Sequence, residues 1–303
     1  MSRIPTKSTL ASLGVTPSKK RGQSFLVRGE VAERIAALAA LTPRDAVLEI
    51  GPGLGALTGA LLASAGRVVA VESDHRLAGW LRGRHAGAAS FELIHGDALE
   101  VDLGGIFERL EDGGRRAAVV SNIPYSISGP LIARLMAFSR RWTRMVLTVQ
   151  RELARRLTAH PGGRGYGGFT ALCRCRADVE EAFTIAPGAF YPRPAVESSV
   201  VVFTPSMAPV FPPGREEDCL SLVRLLFSQK RKSVSSILRR AMARHPAQGR
   251  LAEILAAAGV DPSMRAERLD LQDFLRLADA LGGRGWGPPR DAVAARRGVS
   301  SRK

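Results

Sequence analysis

Along most of the chain, short and nearly continuous apolar runs alternate with segments whose apolar residues return every three or four positions. The runs are Ala46–Ile50, Arg67–Val71, Phe91–His95, Ala117–Ser121 and Met145–Val149. Apolar runs without polar alternation predict strands buried on both faces, as in a parallel sheet. Val31, Ile35, Leu38 and Leu41 share one helical stripe and predict an amphipathic helix over 29–41, and Leu57, Leu61 and Leu62 predict another after the first run. Strands and helices in turn predict an α/β fold with both sheet faces covered. Val179–Ile185 and Ser198–Phe203 predict a late strand pair, joined through the proline-rich Pro187–Pro194. From about Glu216 the pattern becomes helical and basic, with breaks at His245-Pro246, Gly259 and Asp261-Pro262. Prolines cluster over Pro205–Pro213, where a domain boundary is expected.

Composition narrows the class. The 303 residues are 45% hydrophobic and 24% charged, which is ordinary globular usage and excludes a disordered or collagen-like chain. No apolar run reaches the roughly 20 residues of a membrane span, so a soluble protein is expected. Cys173, Cys175 and Cys219 form no framework spacing and imply a reducing compartment; with no neighbouring His they complete no metal site, and Cys173 and Cys175 are expected on a strand. The net charge of +16 changes the picture more. Residues 1–22 carry Arg3, Lys7, Lys19, Lys20 and Arg21 without an acid, and the Gly/Arg-rich residues 284–303 oppose six bases to Asp291 alone. Basic ends of this kind, expected to be disordered, act as electrostatic arms on a polyanion, with a plain solubility tail as the bland alternative. The acid-poor, Ser- and Arg-containing N-terminus also fits an organelle transit peptide, so an organellar location stands beside the expected cytoplasmic one.

The candidate chemistry lies at the ends of the predicted strands. Gly51-Pro52-Gly53-Leu54-Gly55 follows the first, and such a loop lets backbone approach a ligand closely. Glu72 closes the second strand, where a carboxylate accepts both ribose hydroxyls. Asp97 closes the third, placed to receive an adenine amine. Gly, Glu and Asp on three successive strand ends predict an adenosine pocket. Asn122-Ile123-Pro124-Tyr125 at the fourth supplies acceptors for an amine and a ring on which a base can stack. Hydride transfer uses none of these, which counts against a dehydrogenase.

Here the sequence resembles the adenine-N6 methyltransferases, whose equivalent motif is Asn or Asp, an apolar residue, Pro, then Tyr or Phe. The resemblance narrows at Gly22-Gln23-Ser24-Phe25-Leu26, at Gln150–Leu157, at Gly165-Tyr166-Gly167, at Phe190–Val200 and at Phe227-Ser228-Gln229-Lys230-Arg231-Lys232. These follow, in order, motifs of the ribosomal RNA adenine dimethyltransferases, and are most similar to the bacterial kasugamycin-sensitivity group acting on small-subunit rRNA. Ser24 stands where that family has Asn, and Ile123 where it commonly has Leu. Asn-Ile-Pro-Tyr is also frequent in the macrolide-resistance enzymes of large-subunit rRNA.

The resemblance implies a Rossmann-like S-adenosylmethionine-dependent methyltransferase domain over 22–207 and a small all-helical domain over 208–283, between a basic arm over 1–21 and a basic tail over 284–303. It implies that Gly51 and Gly53 line the methionine side of the cofactor, Glu72 holds the ribose, and Asp97 with the Ala98 backbone reads the adenine. Gln23, Ser24 and Leu26 close the pocket. Asn122 and Ile123 are to accept from the target amine, Pro124 to shape the turn, and Tyr125 and Phe190 to stack on the flipped base. Lys230, Arg231, Lys232, Arg239 and Arg240 are to dock rRNA phosphates. The product expected is dimethyladenosine at two adjacent positions of 16S rRNA, made by a monomer with neither metal nor membrane. A resistance methyltransferase and a non-catalytic ribosome-assembly factor are the alternatives.

Overall fold

The structure is a computed structural model that describes residues 7–18, 22–206, 211 and 215–288. These form two compact units, one built from the residues up to Arg155 together with Ala177–Pro205, the other from Arg156–Arg176 together with those from Ser206 onward. The split near Pro205 falls where the prolines cluster, but the second unit also takes 156–176, which the sequence reading left in the first. Residues 1–6 and 19–21 of the expected arm and 289–303 of the expected tail lie outside the described residues, but 7–18 is not a loose arm: it includes a helix over Lys7–Ser12, and Leu10 and Val15 are buried with Phe25, Leu54 and Leu77.

The first unit holds α1 (Lys7–Ser12), β1 (Phe25–Leu26), α2 (Gly29–Ala37), β2 (Ala46–Ile50), α3 (Ala56–Leu62), β3 (Arg67–Glu72), α4 (His75–Arg84), β4 (Phe91–His95), α5 (Leu103–Glu111), β5 (Ala117–Asn122), α6 (Ser128–Met136) and β6 (Met145–Gln150). α7 (Arg151–Leu157) spans the boundary, and α8 (Gly168–Arg174) belongs to the second unit. The chain returns to the first unit for β7 (Ala177–Ile185), β8 (Phe190–Tyr191) and β9 (Ser198–Pro205). One seven-stranded sheet runs β4-β3-β2-β5-β6-β9-β7. Its first five strands are parallel, β9 pairs antiparallel with β6, and β7 pairs antiparallel with β9. β2 is buried at every position, which explains why its run shows no polar alternation. The stripes of α2 and α3 pack Ile35, Leu57 and Leu61 into the same core as Val47, Val68 and Val120.

Strand order reverses between β2 and β5, and open α/β sheets bind ligands beyond the strand ends at such a point. The ladder there pairs only Ala46–Leu48 with Ala117–Val119. Beyond it a side chain replaces the backbone: Ile50 N–H donates to Ser121 Oγ at 2.7 Å, and the same hydroxyl donates to the Ile50 carbonyl. The strands therefore part without leaving a buried backbone group unpaired.

In the second unit, α9 (Glu216–Phe227), α10 (Val234–Ala241), α11 (Leu251–Ala257) and α12 (Leu271–Gly282) join α8 around a separate apolar core. α8 contributes Ala171 and Cys175, which explains why 156–176 belongs here. Cys173 lies within this helix and Cys175 caps it, contrary to the strand expected for them; all three cysteines are free and buried. Among the described residues no helix is long and apolar enough to cross a membrane.

Candidate active site

β2 delivers the chain into the glycine loop, and the loop conformation needs glycine. Gly53 has φ +58°, and a Cβ on it would stand 2.8 Å from the Phe25 ring. Its N–H donates to Glu72 Oε2 at 3.0 Å, while the Asp74 N–H donates to Oε1 at 2.9 Å. Glu72 is thus oriented by backbone from two sides and keeps acceptor capacity on both oxygens for a ligand. Burial pushes its carboxyl up, against the pull of these N–H groups.

Glu49, one strand residue before the loop, is 1% exposed. Burial pushes its carboxyl up to about 8, the Glu72 charge adds to the rise, and the Thr58 hydroxyl, donating at 2.7 Å, opposes it. The sequence reading passed over Glu49, although a carboxylate in an otherwise apolar strand was a visible signal. Asp97 is exposed and accepts from the Leu99 N–H at 2.8 Å, and Ala98 beside it is buried.

Asn122 ends β5. Its Nδ2 donates to the Ser24 carbonyl at 3.1 Å, and since a carbonyl takes only a donor, this leaves Asn122 Oδ1 as the acceptor for another group. Ser24 therefore serves the site through its backbone, a service indifferent to the Asn that stands there in the resembling family. Ile123 is buried, and Tyr125 opens a single helical turn over Tyr125–Ile127. The Tyr125 hydroxyl is hydrogen-bonded to Ser198 Oγ, and burial raises its pKa. Gln23 Oε1 accepts from the Ser18 N–H at 3.0 Å and so ties the segment before β1 to the pocket wall.

One cavity of about 520 Å³ gathers Gln23, Ser24, Leu26, Gly51, Gly53, Glu72, Asp97, Ala98 and Asn122–Tyr125, with Glu49 added. Its acidic side chains, Glu49, Glu72 and Asp97, meet no Lys, Arg or His among the lining residues, so no positive side chain opposes a cationic ligand there. Phe190 is 4% exposed, packs in the core with Leu26 and Val200, and is not among the residues lining this cavity. No cluster able to hold a metal occurs among the described residues.

The basic candidates belong to the second unit. Lys230, Arg231 and Lys232 occupy the turn after α9, and Arg239 and Arg240 end α10; all are exposed. Arg224, by contrast, is paired with Glu217 at 2.9 Å.

The profile of the family described as ribosomal RNA adenine dimethylase matches residues 16–282. A protein of Geobacter sulfurreducens named ribosomal RNA small subunit methyltransferase A is 38% identical over 268 residues, covering 88% of this chain and 96% of that one. Among solved structures, a dimethyladenosine transferase from Plasmodium falciparum superposes with a TM-score of 0.74 at 25% identity, covering 87% of this chain and 99% of that chain. The 23S rRNA methyltransferase ErmE superposes with a TM-score of 0.66 at 26% identity, covering 85% and 99%. With its strand-end glycines, acids and Asn-Ile-Pro-Tyr turn assembled on one cavity, the chain belongs to the ribosomal RNA adenine dimethylase family.

Proposed function

We propose that this protein transfers methyl groups from S-adenosylmethionine to N6 of adenosines in small-subunit rRNA, dimethylating two adjacent adenosines during subunit assembly in the cytoplasm. The observation that carries the proposal is the Asn122 amide, locked by the Ser24 carbonyl with its oxygen left to accept, on the wall of an acidic cavity. The small-subunit assignment is supported by the name of the relative that is 38% identical.

The cavity fits the cofactor on its own chemistry. S-adenosylmethionine carries positive charge on its sulfonium, and the lining holds acids and no Lys, Arg or His to oppose that charge. When bound, it supplies an electrophilic methyl on sulfur. Gly51 and Gly53 admit its methionine end against backbone, Glu72 accepts from the ribose hydroxyls, and Asp97 with the Ala98 N–H receives the adenine. Gln23, Ser24 and Leu26 cover the pocket from the N-terminal side.

The target adenosine must leave its stack, at a cost of a few kcal/mol. Tyr125 provides a ring for the extruded base. Asn122 Oδ1 and the Ile123 carbonyl accept from the N6 amine, drawing its lone pair out of conjugation and turning it toward the methyl. Pro124 holds the turn that separates these acceptors from the ring. Positioning of this kind supplies most of the rate, and the methylated amine sheds its proton to water without a dedicated base. Lys230, Arg231, Lys232, Arg239 and Arg240 dock the folded rRNA by its phosphates.

Transfer from labelled S-adenosylmethionine to unmethylated small subunits, large subunits and naked rRNA, read by nucleoside mass spectrometry, tests the proposal. Dimethyladenosine on small subunits is the expected result. The same product confined to large-subunit RNA, or no transfer despite subunit binding, would overturn it.

A further inference from the structure

Ser198 lies outside the cavity lining, and neither the cofactor site nor the acceptor pair uses it. It is fully buried at the start of β9, in register with Gln150 of β6 on one side and Ile185 of β7 on the other. A strand residue paired on both sides is held by the sheet itself. Its hydroxyl is hydrogen-bonded to that of Tyr125, and either oxygen can be the donor. The next residue, Ser199, points its hydroxyl elsewhere, donating to Glu181 at 2.7 Å, so the two serines serve different partners.

The other end of Tyr125 is fixed as well. The Ile127 N–H donates to the Pro124 carbonyl at 3.2 Å and closes the turn. Gly22 lies so close that a Cβ on it would stand 3.0 Å from the Tyr125 nitrogen. The phenol oxygen lies on the axis of the second side-chain torsion, so with the backbone and the hydroxyl both anchored the first torsion is fixed and the direction of the ring axis with it. That direction is then set by the sheet rather than by the turn.

We propose that Ser198 is a positioning residue that fixes where the Tyr125 ring stands, by holding the direction of its axis, and with it the place at which an extruded adenine stacks relative to Asn122 and Ile123. This rests on the methyltransferase reading above. Two acceptors and a stacking face define a reacting geometry only if all three are rigid, and Ser198 supplies the rigidity of the third.

The test compares the parent with Ser198→Ala, Ser198→Thr, Tyr125→Phe and the Ser198→Ala/Tyr125→Phe double variant, using the full chain and small subunits. Ser198→Ala and Tyr125→Phe should each lower kcat by about three- to tenfold, the worth of one neutral hydrogen bond. S-adenosylmethionine affinity should stay near its parental value, while Ser198→Ala, which leaves the phenol unpaired, should lower Tm more than Tyr125→Phe does. The double variant should fall no further in kcat than either single one, because both remove the same bond. Ser198→Thr should recover most of the loss. Parental kcat in Tyr125→Phe, or losses that multiply in the double variant, would overturn the proposal, and the first of these leaves the buried serine untouched. The chain has only three tyrosines, so a fluorotyrosine spectrum reads the ring without substrate. The Tyr125 line should shift and narrow in Ser198→Ala; an unchanged line counts against the tether, whereas an inactive parent counts against the methyltransferase reading.

Discussion

Glu49 sits one residue from the end of β2, and Asn122 ends the adjacent β5. The amide of Asn122 is turned by a carbonyl, and the carboxyl of Glu49 is kept protonated near neutral pH chiefly by burial, with the Glu72 charge adding to it. The Glu49 state has a consequence for stability. Its folded pKa of about 8 stands above the ordinary value of 4.5, so between those values the unfolded chain has released a proton that the folded chain still holds. Folded stability therefore falls as pH rises through that window, by an amount on the order of a few kcal/mol. Glu49→Gln removes the effect while keeping the size and the acceptor for Thr58. Thermal melts of both proteins without cofactor should diverge from pH 5 to pH 8, with the variant gaining, and run parallel above about pH 8. A difference constant across the series would show that Glu49 is ionised throughout. Residue types at the site were legible because each strand end carries a polar group with no place in an apolar run. Glu49 is less legible because it lies inside an otherwise apolar run, and the Ser198 tether is not legible because its partners lie 73 positions apart in sequence.

At the level of elements, the five parallel strands were legible because burial on both faces removes polar alternation. The pair of β1 and β8 was not, since two residues carry no period. Phe190 shows what a motif omits: it gives the order of segments, not the face to which each side chain turns. Cys173 and Cys175 show the converse, because Cys-Arg-Cys alternates like a strand while Ala171 and Cys175, four apart, mark the buried side of a helix. The glycine loop makes a sharper claim about how elements meet. Gly53→Ala places a methyl against the Phe25 ring at a positive φ, adding strain of about 1–2 kcal/mol. Relief comes by moving β1 away, and β1 carries Ser24 and Leu26 beside it. S-adenosylmethionine binding, followed by calorimetry, should weaken by about five- to thirtyfold if that strain is released by displacing β1. Wild-type affinity in Gly53→Ala would mean that β1 is not part of the closed pocket.

On the scale of the whole molecule, the chain separates its chemistry from its positive charge. The first unit encloses a cavity lined by acids and no bases, and the second exposes Lys230, Arg231, Lys232, Arg239 and Arg240. The sequence revealed this division as a clustering of charge, but not that 156–176 joins the second unit, because membership depends on Ala171 and Cys175 reaching a core formed by residues far along the chain. The division separates two measurable properties. Each phosphate contact releases counterions, so removing contacts lowers the slope of log affinity against log salt by about 0.7–0.9 per contact. Replacing Lys230, Arg231 and Lys232 by alanine should weaken small-subunit binding at low salt and flatten that slope by about two to three. These side chains are exposed and end outside the helical core, so Tm should hold. S-adenosylmethionine affinity should also hold, because none of the three lines the cavity. Equal slopes for parent and variant would show that rRNA is gripped elsewhere on the chain, whereas a flattened slope accompanied by weaker cofactor binding would show that charge and chemistry are coupled after all.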